Sequence, residues 1–288
     1  MKKVFLILII VSLCLSGCIQ QNENQTTSEN KLIILVSILP QKEMVKEVAG
    51  DKAEVYALIL PGRSPATYSP SHNDLINVEK ARLYFQIGEL PFEKNYTNTL
   101  ADINPALKIL KASEAKGIKL QYVSENNVDP HLWLSPKNVI VHVEQICSAL
   151  SQADPEQASL YRENADRYIE KLENLDTNFR NSFSNLKSNK LMVYHPAWGY
   201  LADEYGLEQL AVEYEGKEPT AEQLKESIDL AKQEGIGIIF TQTQFSIEDA
   251  QVIASELGVP IVQLDPLAED YVENMSRIAE TISEKLKK

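Results

Sequence analysis

Histidine and cysteine are both scarce in this chain, with four and three among 288 residues. Cys14 and Cys18 sit at the end of an apolar N-terminal run, so Cys147 is the one thiol left in the remainder. A single thiol excludes an intrachain disulfide framework. Cys147 lies among Val143, Ile146 and Leu150 in a helical pattern, which reads as a buried, inert thiol rather than a nucleophile. Basic residues are also outnumbered, 28 Lys and Arg against 41 Asp and Glu, for a net charge of −13. Nucleic acid rewards basic surfaces, so no nucleic-acid partner is expected. No P-loop, no Gly-x-Gly-x-x-Gly turn, no Gly-x-Ser-x-Gly elbow and no short repeat occurs. Those absences remove the common nucleotide-dependent and serine-hydrolase readings.

The N-terminus reads as an address. Lys2 and Lys3 precede an apolar run from Val4 to Leu15, short of the ~20 residues that span a membrane comfortably. The run ends in Leu15-Ser16-Gly17-Cys18, which resembles a prokaryotic lipobox and implies cleavage before Cys18 and lipidation of Cys18. Residues 1–18 are therefore expected to be a lipoprotein signal peptide. Residues 19–31 are expected to be a flexible tether, since 20–30 carry no large apolar side chain. The mature chain would sit on the extracytoplasmic face of the cell membrane, lipid-anchored and not spanning it.

The rest alternates β-rich runs with helical patterns in two halves. Residues 32–38, 53–60, 82–87 and 118–123 read as strands of the first half, with helices over 41–49, 74–80, 91–100 and 136–151. Residues 190–195, 209–214, 236–241 and 260–264 read as strands of the second, with helices over 197–205, 221–234, 247–257 and 268–286. Such alternation predicts an α/β fold with mostly parallel sheets flanked by helices. Between the halves, Tyr161, Ala165, Tyr168, Leu172, Leu175, Phe179, Phe183 and Leu186 recur at gaps of three and four, with no Gly or Pro from 156 to 190. One long helix is predicted, N-capped by Asp154, about 45–50 Å long and packed on both halves. The expected organisation is an N-terminal lobe over 32–153, a linking helix over 154–187 and a C-terminal lobe over 188–288, as a monomer.

Three metal-competent side chains fall where a parallel-sheet protein exposes its ligand site, beyond the carboxyl ends of strands. His131 lies in Asp129-Pro130-His131-Leu132-Trp133-Leu134-Ser135-Pro136, between two prolines that stiffen the loop. His195 closes a strand and opens His195-Pro196-Ala197-Trp198-Gly199-Tyr200. Asp265 closes another and opens Asp265-Pro266-Leu267, where it also reads as a cap for the next helix. Two imidazoles and a carboxylate suit Zn²⁺, and Mn²⁺ if oxygen ligands join. Trp133 and Trp198 read as shields that keep water from the site, and His142 as a surface or packing residue in mid-helix.

Taken with Val36-Ser37-Ile38-Leu39-Pro40 and with Leu60-Pro61-Gly62 and Tyr68-Ser69-Pro70, these blocks resemble the cluster A-I metal-binding lipoproteins, zinc/manganese receptors of ABC importers. The resemblance covers nearly everything from Leu32 onward and implies two α/β lobes joined by one rigid helix. It implies that His131, His195 and Asp265 match the second, third and fourth metal ligands. The first ligand is where the chain departs: Pro65-Ala66-Thr67-Tyr68-Ser69-Pro70 holds Ala66 where the family carries histidine. His72 is the nearest imidazole and a possible fourth ligand. Tyr68, Glu213 and Glu215 are further candidates, and 111–128 holds none of the histidines that many zinc-type members carry there.

The resulting expectation is a binding protein, not an enzyme. It would capture Zn²⁺, or alternatively Mn²⁺, in the cleft between the lobes and deliver it to a cognate ABC permease. The rivals are a zinc metalloenzyme with an open three-ligand site, a siderophore or corrinoid receptor of similar architecture, and an adhesin-like lipoprotein.

Overall fold

The computed structural model describes residues 31–287 apart from 66, 126, 214–218 and 246. The expected signal peptide with Cys18, the tether up to residue 30, Ala66 and Glu215 lie outside the described residues. In chain order the first half holds β1 (Leu32–Val36), α1 (Leu39–Ala49), β2 (Ala53–Ala57), α2 (His72–Lys80), β3 (Leu83–Gln86), α3 (Pro91–Ile103) and β4 (Lys108–Lys111). Its sheet runs β2-β1-β3-β4, parallel throughout. Strand β3 is buried along its whole length, as a strand covered on both faces must be.

A short antiparallel hairpin follows, β5 (Tyr122–Ser124) against β6 (Asn127–Val128). The expected strand over 118–123 is thus not the fourth strand of the first sheet. That place belongs to β4, an edge strand whose Lys108-Ile109-Leu110-Lys111 sequence is too short and too charged to stand out. Next come α4 (Pro136–Ala153) and α5 (Ala158–Phe183). The second half adds β7 (Lys190–Val193), α6 (Gly199–Tyr205), β8 (Glu208–Ala211), α7 (Ala221–Gln233), β9 (Ile239–Gln242), α8 (Glu248–Leu257), β10 (Ile261–Leu264) and α9 (Tyr271–Leu286). Its sheet runs β10-β9-β7-β8, again all parallel.

Helix α5 joins the halves. Tyr161, Ala165, Tyr168, Leu172, Leu175, Phe179 and Phe183 are all buried, the stripe expected from their spacing. The stripe packs on α1 and α4 of the first half and on α6 and α9 of the second. The helix is shorter than expected: its 26 residues make about 39 Å at 1.5 Å per residue. Asp154 does not cap it. The Asp154 backbone closes α4 through its N–H on Leu150, and its carboxylate accepts the Tyr161 hydroxyl at 3.0 Å. A 3-10 turn over Pro155–Gln157 then leads into α5.

Candidate metal centre

His131 is aimed by its own loop. Pro130 biases Asp129 toward extended backbone, and the Asp129 carboxylate turns back on the chain. Its Oδ1 accepts the backbone N–H of His131 at 2.9 Å and the ring Nδ1–H at 2.7 Å. Asp129 is itself locked from both halves. Its N–H donates to Gln121 O, and its carbonyl accepts the hydroxyl of Tyr200 from α6 at 2.9 Å. A 3-10 turn, Leu132–Leu134, follows His131, and Ser135 then caps α4 by accepting Asn138 N–H at 3.2 Å.

His195 follows β7, two residues beyond its last paired position. The ladder to β8 continues past the strands through Glu213 N–H on Tyr194 O at 2.9 Å, which brings the Glu213 carboxylate alongside. Glu213 Oε2 accepts His195 Nδ1–H at 2.7 Å. Gln242, at the end of β9, donates to His195 O at 2.9 Å, and Phe245 stacks on the imidazole with centroids 4.4 Å apart. Trp133 lies 5.3 Å from the His131 ring. The shield over His195 is therefore Phe245, while buried Trp198 is held by its backbone to Gln209.

The two imidazoles meet. His131 Nε2 and His195 Nε2 stand 3.3 Å apart. Each Nδ1 faces a carboxylate that is about one-twentieth exposed, so each proton belongs on Nδ1 and both Nε2 lone pairs face one another. Burial pushes the His195 pKa below its ordinary value, and His131 adds to that push against the pull of Glu213. Two lone pairs facing one another are what a shared cation would accept. Two nitrogens bound to a tetrahedral zinc at ~2.0–2.1 Å stand about 3.3–3.4 Å apart, the separation found here.

Asp265 follows β10 and is partly buried. Its Oδ1 accepts Gln244 Nε2 at 2.7 Å and Leu267 N–H at 2.9 Å. The second bond closes a turn inside the link, and the cap position of α9 belongs to Asp270, so Asp265 does not cap that helix as its position suggested. Among the described residues no three or more His, Cys, Asp and Glu side chains form a group that could hold an ion. The structure thus brings His131 and His195 together and leaves Asp265 outside the pair. His72 is exposed, on the first residue of α2, where Ser71 and Asp74 cap each other reciprocally. His142 in α4 is buried, which favours the packing reading over the surface one. The orienting roles of Asp129, Glu213 and Gln244 are not written in any spacing. The sole local signal is an Asp two residues ahead of a histidine.

The family model described as "ZnuA: Zinc-uptake complex component A periplasmic" matches residues 34–285. The chain belongs to that family. The zinc-binding lipoprotein AdcA of Streptococcus pneumoniae R6 is 32% identical over 284 residues, covering 93% of this chain and 56% of the relative. The zinc-binding protein AdcA of Streptococcus pyogenes serotype M1 is 27% identical, covering 98% of this chain and 61% of the relative. The chain thus spans a little over half the length of these curated relatives. A crystal structure of ZnuA superposes with a TM-score of 0.85 at 33% identity, covering 89% of this chain and 99% of that one. The family description names a zinc-uptake component, and these relatives are named zinc-binding proteins, not enzymes. Its two-lobe architecture with a long joining helix is the one described above.

Proposed function

We propose that this chain is an extracytoplasmic, lipid-anchored receptor that captures a divalent transition metal and hands it to the permease of an ABC importer. Zn²⁺ is the favoured cargo and Mn²⁺ the second. The observation that carries this reading is the pair of facing Nε2 atoms 3.3 Å apart, each ring backed by a buried carboxylate on Nδ1. Carboxylate-backed histidines are the usual support of zinc ligands. Nitrogen donors favour zinc, whereas manganese asks for more oxygen.

Asp265 supplies the third protein ligand by moving in when an ion arrives. Its neighbourhood supports that role. Pro266 is tied to Trp133, next but one to His131, and Gln244 on its carboxylate is next to Phe245, which stacks on His195. His72 or water completes the shell. Residues 32–153 and 188–288 act as the lobes around the cleft and 154–187 as the link. Cys18 carries the lipid. A family of zinc-binding uptake components, one relative of which is named a lipoprotein, supports anchor and permease alike.

Elemental analysis followed by competitive titration with Zn²⁺ and Mn²⁺ tests the proposal. Zinc binds more tightly, and His131→Ala or His195→Ala weakens it by more than the ~10–100-fold that losing a ligand's supporting partner costs. A wild-type protein that takes up neither metal overturns the receptor reading. Asp265→Ala with unchanged affinity for every first-row metal removes Asp265 from the site.

A further inference from the structure

Trp133 hydrogen-bonds across the molecule twice. Its indole Nε1–H donates to the carbonyl of Pro266 at 2.9 Å, and its own carbonyl accepts the hydroxyl of Tyr271 at 2.8 Å. Trp133 and Tyr271 are at most 2% exposed, and Pro266 is buried. The same indole packs 5.3 Å from the His131 ring. One side chain therefore touches the first-half imidazole and holds the backbone one residue beyond Asp265. The restraint reaches Asp265 directly: its Oδ1 accepts Leu267 N–H, and its carbonyl accepts Asn274 Nδ2 from α9 at 2.7 Å. Tyr271, the second partner of Trp133, is the first residue of that helix.

We propose that Trp133 is the positioning residue that sets Asp265 in register with His131, acting through its indole N–H on Pro266. The inference rests on the metal-capture reading above. His131 rides on a loop of the first half and Asp265 on the short link from β10 to α9 in the second. Neither element alone fixes the distance between them. When the N–H is removed, the buried Pro266 carbonyl loses its donor and regains one by moving toward water. The link then samples positions from which Asp265 cannot close on an ion. Apparent affinity falls in proportion to the competent fraction, with the intrinsic contacts unchanged.

Trp133→Phe keeps an aromatic ring and deletes the donor. Tyr271→Phe deletes only the hydroxyl and serves if the first variant folds poorly. Zinc titration of Trp133→Phe is expected to show about 5- to 30-fold weaker binding, the loss that one buried hydrogen bond converts to. In an Asp265→Ala background the same substitution is expected to cost nothing further, which a general packing defect would not reproduce. Hydrogen exchange on the metal-free protein is expected to quicken over 266–272 in the variant and to stay unchanged in α5. Unchanged exchange over 266–272 overturns the proposal. So does wild-type affinity in Trp133→Phe, or a loss that persists undiminished without Asp265. Failure of the wild type to bind zinc or manganese sinks the receptor reading instead, and the exchange arm still decides whether the tie exists.

Discussion

Gln41 Nε2 donates a hydrogen bond to His142 Nε2 across 3.1 Å, between α1 and α4. Its direction is fixed, because Gln41 Oε1 already accepts the N–H groups of Ser37 at 3.0 Å and Ile38 at 3.3 Å. His142 Nδ1–H then donates to Gln145 Oε1 at 3.1 Å. A second proton on His142 would face the amide NH₂ of Gln41, a donor, across the 3.1 Å contact. Burial pushes the His142 pKa down to about 4, against the smaller opposing effect of Gln145. The unfolded chain protonates near ~6.5. Between those values the unfolded state binds a proton that the fold refuses, so this stabilisation is full above ~6.5 and is lost as pH falls toward 4. The loss reaches about 3 kcal/mol. Urea unfolding at pH 7, 5.5 and 4.5 should give a shallower decline for His142→Gln than for wild type, and equal declines contradict the assignment.

A methyl group on Gly199 would lie 2.9 Å from Asp129 Oδ2 and 3.2 Å from Gln121 Oε1. No side chain is tolerated there without moving the carboxylate that aims His131. Gly199→Ala is expected to destabilise by ~1–3 kcal/mol, the usual cost of overpacking. It should also weaken zinc binding, while an alanine at exposed Gly62, which has open space around it, leaves affinity unchanged. Thermal melts paired with zinc titrations separate the two effects. An unaltered zinc affinity in Gly199→Ala would show that Asp129 does not need this close approach.

Asp129→Asn and Glu213→Gln keep the shape of each side chain and remove its charge. An amide can also turn its NH₂ toward Nδ1 and reverse the tautomer, putting the proton on Nε2 where the ion should bind. Each substitution is expected to lower zinc affinity by about 10–100-fold. Isothermal titration with circular dichroism as a folding control checks this. Retention of full affinity in both variants would reduce the carboxylates to packing groups.

Much of this architecture is legible without coordinates, and for identifiable reasons. The apolar stripe of α5 from Tyr161 to Phe183 is a strong periodic signal, and every one of those residues is buried. His131 and His195 stand beyond strand or hairpin ends, where open α/β sheets place ligands, and they do meet. Strand β4 escapes notice because an edge strand of four residues, two of them lysine, carries little alternation. Asp154 misleads as an N-cap because the Tyr161 hydroxyl takes its carboxylate. Glu213 becomes a partner of His195 only through the β7–β8 register, and Asp265 is turned by Gln244 from a neighbouring strand end. Those are tertiary contacts between residues 18 and 21 positions apart, and no local pattern encodes them.

Phe179 marks where the joining helix meets the second half. Its ring stacks on Tyr205 of α6 with centroids 4.9 Å apart, and Phe183 packs edge-on against it at 5.5 Å. Tyr205 is fixed in turn by its hydroxyl on Asp176 Oδ1 at 2.9 Å. Because α5 also packs on α1 and α4, a cavity at Phe179 weakens an element that both halves share. Phe179→Ala is expected to cost ~3–5 kcal/mol and to lower the melting temperature by about 10 °C for a chain of this size. Unfolding should remain a single transition, since neither half keeps a complete core once α5 is lost. Calorimetry reads both quantities. Two resolved transitions in the variant would mean that the halves hold their own cores and that α5 merely tethers them.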